Sequence, residues 1–196
     1  MIEYLKGEIE ELSPTFCVVD CGGVGYGLNI TLMDYDFLKD EKNCKGLKMY
    51  IHESIREDAY ELYGFRDRAA REAFRLLIGV SGVGPNTARL ILSSLTVDQL
   101  ENAISSGNEL PLKSVKGIGG KTAQRIIVDL KDKIKSAGVS FNLSVPMSGA
   151  NYDDAASALV MLGFTMQQSQ KVLKKLFSEN PALSTEQAIK LALKML

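Results

Sequence analysis

Apolar and polar residues alternate with a period of two through the first 65 positions. β-Branched runs stand out at Ile2–Leu12, Phe16–Cys21, Gly25–Leu32, Leu47–Ser54 and Ala59–Phe65. Five short strands divided by turn residues predict a small barrel. A five-stranded Greek-key barrel of the OB type accommodates this count, while strand number alone leaves the topology open. From Asp67 the spacing becomes helical: Ala70, Phe74, Leu77 and Ile78 form one stripe, and Arg66, Arg68, Arg71 and Arg75 fall elsewhere on the turns. Thr96-Val-Asp-Gln99 predicts a capped start for a helix over Asp98–Ser106, which Gly107 ends. A second helical hairpin runs from about Leu112 to Lys135. Residues 136–151 are rich in Ser and Gly, without period or charge, and predict a flexible linker. Three short amphipathic helices follow at Tyr152–Met161, Met166–Phe177 and Ser184–Leu196. Asn180-Pro181 marks a break, and Ser184-Thr-Glu-Gln187 a capping box. The expectation is a multidomain α+β protein: a barrel over 1–64, a helical domain over 65–135, the linker, and a three-helix domain over 152–196.

Within the helical region one pattern occurs twice, 35 residues apart. Val80/Val115, Gly82/Gly117, Gly84/Gly119, Thr87/Thr122, Ala88/Ala123, Ile91/Ile126 and Leu95/Leu130 are identical along that offset. The unit is Gly-hydrophobic-Gly followed by a helix. Glycine permits a positive φ and removes the Cβ that blocks close approach, so backbone N–H groups and a helix N-terminus can face outward toward an anion. Val83 and Ile118 are expected to tuck into the core, and Ala88 and Ala123 to keep the helices close. This is the helix-hairpin-helix pattern, whose usual ligand is a duplex phosphate.

The net charge of −1 argues against nucleic acid until it is divided along the chain. Residues 1–62 hold 6 Lys and Arg against 13 Asp and Glu, residues 63–135 hold 12 against 7, and the remainder 5 against 4. A localised basic footprint matters more to DNA than the overall balance. Cys17, Cys21 and Cys44 fit neither a zinc knuckle nor a disulfide framework and read as reduced structural thiols. His52 has no second ligand or nucleophile near it in the sequence and reads as structural. With no leader at Met1 and no long apolar run, the expectation is a cytoplasmic protein without membrane contact.

Enzymatic readings find little support. Gly120-Lys121-Thr122 looks like the end of a phosphate-binding P-loop, but Val115 stands where that motif needs glycine and no clear strand precedes it. Some DNA glycosylases carry one helix-hairpin-helix, with an Asp or Lys in a pocket for a flipped base. Here the hairpin comes twice, and no long stretch follows to build such a pocket. A nuclease needs clustered carboxylates for metal ions, and the nearest pair is Glu57-Asp58. Adjacent carboxylates repel phosphates; a solvated turn is the plain reading of that pair. A repair enzyme and a protein-interaction adaptor stay open as alternatives to a DNA-binding scaffold.

Gly22-Gly-Val-Gly-Tyr26, Arg56-Glu-Asp-Ala59, Leu62-Tyr-Gly-Phe65, Gly82-Val-Gly-Pro85, Gly117-Ile-Gly119 and Lys121-Thr-Ala123 together resemble the RuvA family, bacterial proteins that bind four-way (Holliday) junctions for branch migration. The resemblance implies an OB-fold domain, a tandem helix-hairpin-helix domain and a C-terminal domain of ubiquitin-associated type. It implies a homotetramer on an open junction, which a second tetramer can close into an octamer. It assigns DNA contact to Gly82, Val83, Gly84, Asn86 and Thr87 and to Gly117, Ile118, Gly119, Lys121, Thr122 and Arg125. Glu57 and Asp58 match the family's acidic pin, and no catalytic, metal or cofactor residue is implied. The partners implied are the hexameric RuvB ATPase, docked by residues 152–196, and the RuvC resolvase, within the SOS response to DNA damage. Asn86 and Gly120 stand where many relatives carry basic residues, so a weaker salt dependence is expected.

Overall fold

The computed structural model describes residues 1–137, 151–180 and 183–196. The expected linker lies largely outside the described residues, and so does Pro181 of the Asn180-Pro181 break. Five strands, β1 (Tyr4–Ser13), β2 (Phe16–Asp20), β3 (Gly25–Asn29), β4 (Leu47–Ile55) and β5 (Tyr60–Phe65), close a barrel in the order β1-β2-β3-β5-β4. Closure needs β1 twice: Tyr4 to Gly7 pair with β4 and Glu8 to Ser13 with β2, the β2 ladder carrying an irregularity between Ile9 and Glu11. The one parallel pairing, β3 with β5, seals the remaining side through Leu28 opposite Leu62. Leu5, Cys17, Val19, Leu28, Met49 and Ile51 fill the interior. Burial pushes the Cys17 thiol up to about 12, and Cys44 Sγ donates to the Leu38 carbonyl at 3.1 Å.

The expected strand Gly25–Leu32 stops at Asn29, and the chain turns instead into α1 (Leu32–Leu38). Thr31 caps this helix: its hydroxyl accepts from the Asp34 N–H at 3.1 Å and donates to the Asp34 carboxylate at 2.6 Å. Asp34 also accepts from the Arg66 N–H at 3.2 Å, which binds α1 to the exit of the barrel. Burial raises the Asp34 pKa, opposed by these hydrogen bonds.

Helices α2 (Arg68–Ile78), α3 (Pro85–Ser94), α4 (Val97–Ser106), α5 (Leu110–Lys113) and α6 (Gly120–Ala137) form the second layer. The expected caps are present: Thr96 with Gln99 begins α4, and Gly107, at φ 72°, ends it. The break at residue 64 is not a break in packing, because residues 1–137 lie in one compact unit and Tyr63 and Phe65 of β5 belong to the helical core. Phe74 of α2 packs on His52, Tyr63 and Phe65 with ring centroids 5.0–5.3 Å apart. That burial, with the charges of Arg75 and Arg71, holds the His52 pKa below its usual value.

Arg71, which lies off the apolar stripe of α2, is nevertheless buried. It is 2% exposed, donating to the Glu3 carboxylate at 2.6 Å and carbonyl at 2.9 Å, and to Glu72 at 2.9 Å. A buried guanidinium persists only when its donors are met, and Glu3, just before β1, and Glu72 of α2 together meet them.

The second unit holds α7 (Asn151–Met161), α8 (Met166–Glu179) and α9 (Thr185–Ala192) around Ala155, Leu159, Leu173, Leu176, Ala188 and Ala192. The Ser184 box is formed with Gln187. The last helix ends at Ala192, short of the expected Leu196, since its carbonyls are taken up by a turn that closes on Met195 and Leu196. Leu173 is core, Phe164 packs against it, and Leu162 is exposed.

Candidate nucleic-acid interface

The two Gly-hydrophobic-Gly turns fold alike, bond for bond. In the first, the Val80 N–H donates to the Leu77 carbonyl, the Val83 N–H to Val80, and the Ala88 N–H to Gly84; in the second, Val115 donates to Leu112, Ile118 to Val115, and Ala123 to Gly119. Gly82 and Gly117 both sit at φ 88°, a conformation that side-chain-bearing residues rarely adopt. Val83 and Ile118 are buried, and Ala88 and Ala123 are fully buried where the helices meet.

Gly84 and Gly119 carry a different message. Gly84 lies at φ −86°, open to any residue, and a Cβ built on either glycine meets nothing within 4 Å. Nothing inside the chain therefore requires glycine there, and the missing Cβ leaves the backbone open to an approaching ligand. The Ala88 and Ala123 amides make the first bonds of their helices, so the amides of Asn86, Thr87, Lys121 and Thr122 precede the hydrogen-bonded ladder at the positive end of the helix dipole. Each turn has the geometry of a cradle that would suit an anion.

The side chains around the cradles differ. Lys116 and Lys121 are exposed at the second, whereas Ser81 and Asn86 occupy the matching positions of the first. Arg125 reaches back from α6 to the Ser81 carbonyl at 3.3 Å, so its guanidinium lies between the two turns. Arg89, which the sequence reading passed over, donates to the Thr15 carbonyl at 3.0 Å and to Asn29 at 3.3 Å. It bolts α3 to the barrel together with the Leu32 N–H, which donates to Ser93 Oγ at 3.1 Å. The one available signal was that Arg89 matches Gln124 in the repeat. Gly120-Lys121-Thr122 opens α6 after the four-residue α5, not after a strand, which is the second cradle and not a nucleotide loop.

Glu57 and Asp58 sit apart from the cradles, exposed on the hairpin between β4 and β5. Ile55 pairs with Tyr60, and the Arg56 N–H donates to the Ala59 carbonyl at 2.8 Å, which makes a tight four-residue connection. Among the described residues no group of His, Cys, Asp and Glu is arranged to hold a metal ion, and no helix is long and apolar enough to cross a membrane.

A closed five-stranded OB-like barrel continuous with two like-folded Gly-hydrophobic-Gly turns defines a tandem helix-hairpin-helix protein. Three family descriptions account for most of its length: the RuvA N terminal domain at residues 1–64, a SAM-like helix-hairpin-helix tandem at 74–132, and the RuvA C-terminal domain at 150–196. Curated relatives called "Holliday junction branch migration complex subunit RuvA" align over the whole of both chains. They are 53% identical in Bacteroides thetaiotaomicron, 46% in Porphyromonas gingivalis and 44% in Christiangramia forsetii. The chain belongs to the RuvA family.

Proposed function

We propose that this protein is the non-catalytic subunit of a branch-migration complex, binding four-way DNA junctions by their backbones and recruiting a separate ATPase. The observation that carries this reading is the duplicated cradle: the same hydrogen bonds form twice around one core, and Gly84 and Gly119 leave each backbone open to a ligand. Such cradles offer amides and cations to phosphates and nothing to base edges, so recognition is of shape and not of sequence. In a homotetramer each subunit grips one arm, and two tetramers can enclose the junction as an octamer.

Glu57 and Asp58 act as a pin at the centre of that assembly. Their charge repels phosphates, keeps the junction open and steers strands toward new partners. Residues 152–196 dock the hexameric RuvB motor, which supplies ATP hydrolysis, and the RuvC resolvase joins the same junction. The work belongs to recombination and repair in the cytoplasm, under the SOS response.

The test is a gel shift with a synthetic four-way junction against linear duplex of the same arms. Tight binding to the junction without base release or strand cutting is expected, and equal affinity for both overturns the proposal. Glu57→Gln with Asp58→Asn keeps or tightens junction binding while altering RuvB-driven migration; greatly weakened binding removes the pin assignment.

A further inference from the structure

The acidic hairpin carries a cation beside its two carboxylates, and the structure turns that cation away. Arg56 immediately precedes Glu57-Asp58, yet its guanidinium donates at 2.6 Å to Glu61 on the opposite strand. Neither Glu57 nor Asp58 has a side-chain hydrogen bond or ion pair among the described residues. Since Ser54 pairs with Glu61, Arg56 and Glu61 are diagonal neighbours on one face of the hairpin, within reach of long side chains.

Glu61 is itself held. The same carboxylate oxygen that accepts from Arg56 also accepts from the Tyr63 hydroxyl at 3.3 Å, and Tyr63 is 1% exposed in the helical core. On the other face Tyr60 donates to Glu53 at 2.6 Å, a second diagonal tie between the strands. The stem is thus braced on both sides, and one brace runs from the core to the only basic side chain of the turn.

We propose that Glu61 is a positioning residue for the acidic tip: anchored by Tyr63, it holds Arg56 back from Glu57 and Asp58, so the tip meets DNA as two uncompensated negative charges. The proposal rests on the pin reading above and names what keeps the pin acidic. With Glu61 neutral, Arg56 swings free to pair with the tip or with a phosphate. Either outcome weakens the repulsion that the pin exists to provide.

The test uses the full chain, a synthetic four-way junction and a double-mutant cycle. Glu61→Gln keeps the shape and the hydrogen bond from Tyr63 while releasing Arg56. It is expected to tighten junction binding about fivefold at low salt, the worth of one unit charge at ion-pair distance in water. The log–log salt slope steepens by ~0.9 for each phosphate the released arginine reaches. Arg56→Gln stays near the parent, and Arg56→Gln with Glu61→Gln loses the gain. Unchanged affinity in Glu61→Gln, or a double variant as tight as Glu61→Gln, overturns the proposal, because the gain would then not pass through Arg56. Glu57→Gln with Asp58→Asn runs beside them in RuvB-driven migration. Unaltered migration removes the pin reading and the clamp with it, whereas altered migration with an inert Glu61→Gln removes the clamp alone.

Discussion

The two hairpins share a backbone and divide the chemistry. Gly82 and Gly117 adopt the same φ, the flanking hydrogen bonds coincide, and Val83 and Ile118 fill equivalent places in one core. Around that common frame, the first hairpin spends basic residues on attachment: Arg71 of α2 is buried and tied to Glu3, and Arg89 of α3 is engaged by the barrel. The second leaves Lys116 and Lys121 exposed, and its leading helix, α5, is only four residues long. The repeat keeps the backbone conformation of the turn, while the side chains differ: one copy is fixed to the barrel and the other leaves its lysines exposed.

This contrast is broken most severely at Arg71. Arg71→Leu is expected to cost about 3 kcal/mol in urea denaturation, the lower end for a broken buried pair, because Glu3 and Glu72 keep access to water. The loss falls on the first hairpin's anchorage and leaves the second cradle's geometry intact. Next come the glycines. Gly82→Val and Gly117→Val force a side chain to φ 88° and are expected to cost about 1–2 kcal/mol each, with loss of DNA binding. Gly84→Val and Gly119→Val keep thermal stability close to the parent, since their Cβ meets nothing, but obstruct the phosphate and weaken junction binding. Equal stability losses at all four glycines would erase the distinction between backbone need and ligand need.

Smaller changes sharpen the division of charge. Lys121→Gln is expected to flatten the log–log salt slope of junction binding by ~0.9 for the phosphate contact removed, and Asn86→Lys to steepen it by a similar amount. Gly120→Lys adds a second cation, with its Cβ 3.3 Å from the flexible Lys113 side chain. An unchanged slope in the Asn86→Lys, Gly120→Lys double variant would show that the missing cations are irrelevant. The smallest effect is on pH. The Arg71 hydrogen bond and charge lower the Glu3 pKa, so the tie is at full strength above the ordinary carboxylate pKa and fades as pH falls through the lowered folded value. Acid denaturation curves of the parent and Glu3→Gln should therefore differ at neutral pH and converge in acid.

Much of the molecule could be read locally. Period-two runs marked the five strands, and the 35-residue offset marked both cradles, because turn and helix-start chemistry depends on neighbours only a few residues away. The caps at Thr96 and Ser184 were legible for the same reason. Helix α1 was not, since seven residues give too little periodicity to separate from the end of a strand. Its one usable mark was Thr31-x-x-Asp34, a cap pattern whose meaning depends on Asp34 also meeting the Arg66 amide 32 residues on.

What chain order and residue type settled was the repeated turn, since a glycine at positive φ, a buried aliphatic and a helix start recur with the same spacing 35 residues apart. Folding in three dimensions decided the rest: that β3 closes on β5, that Arg71 is buried and Arg89 engaged, and that Arg56 faces Glu61 and not the acidic tip. A charged side chain takes its role from the partners that reach it. Where those partners lie on another strand or another layer, local spacing carries no record of them.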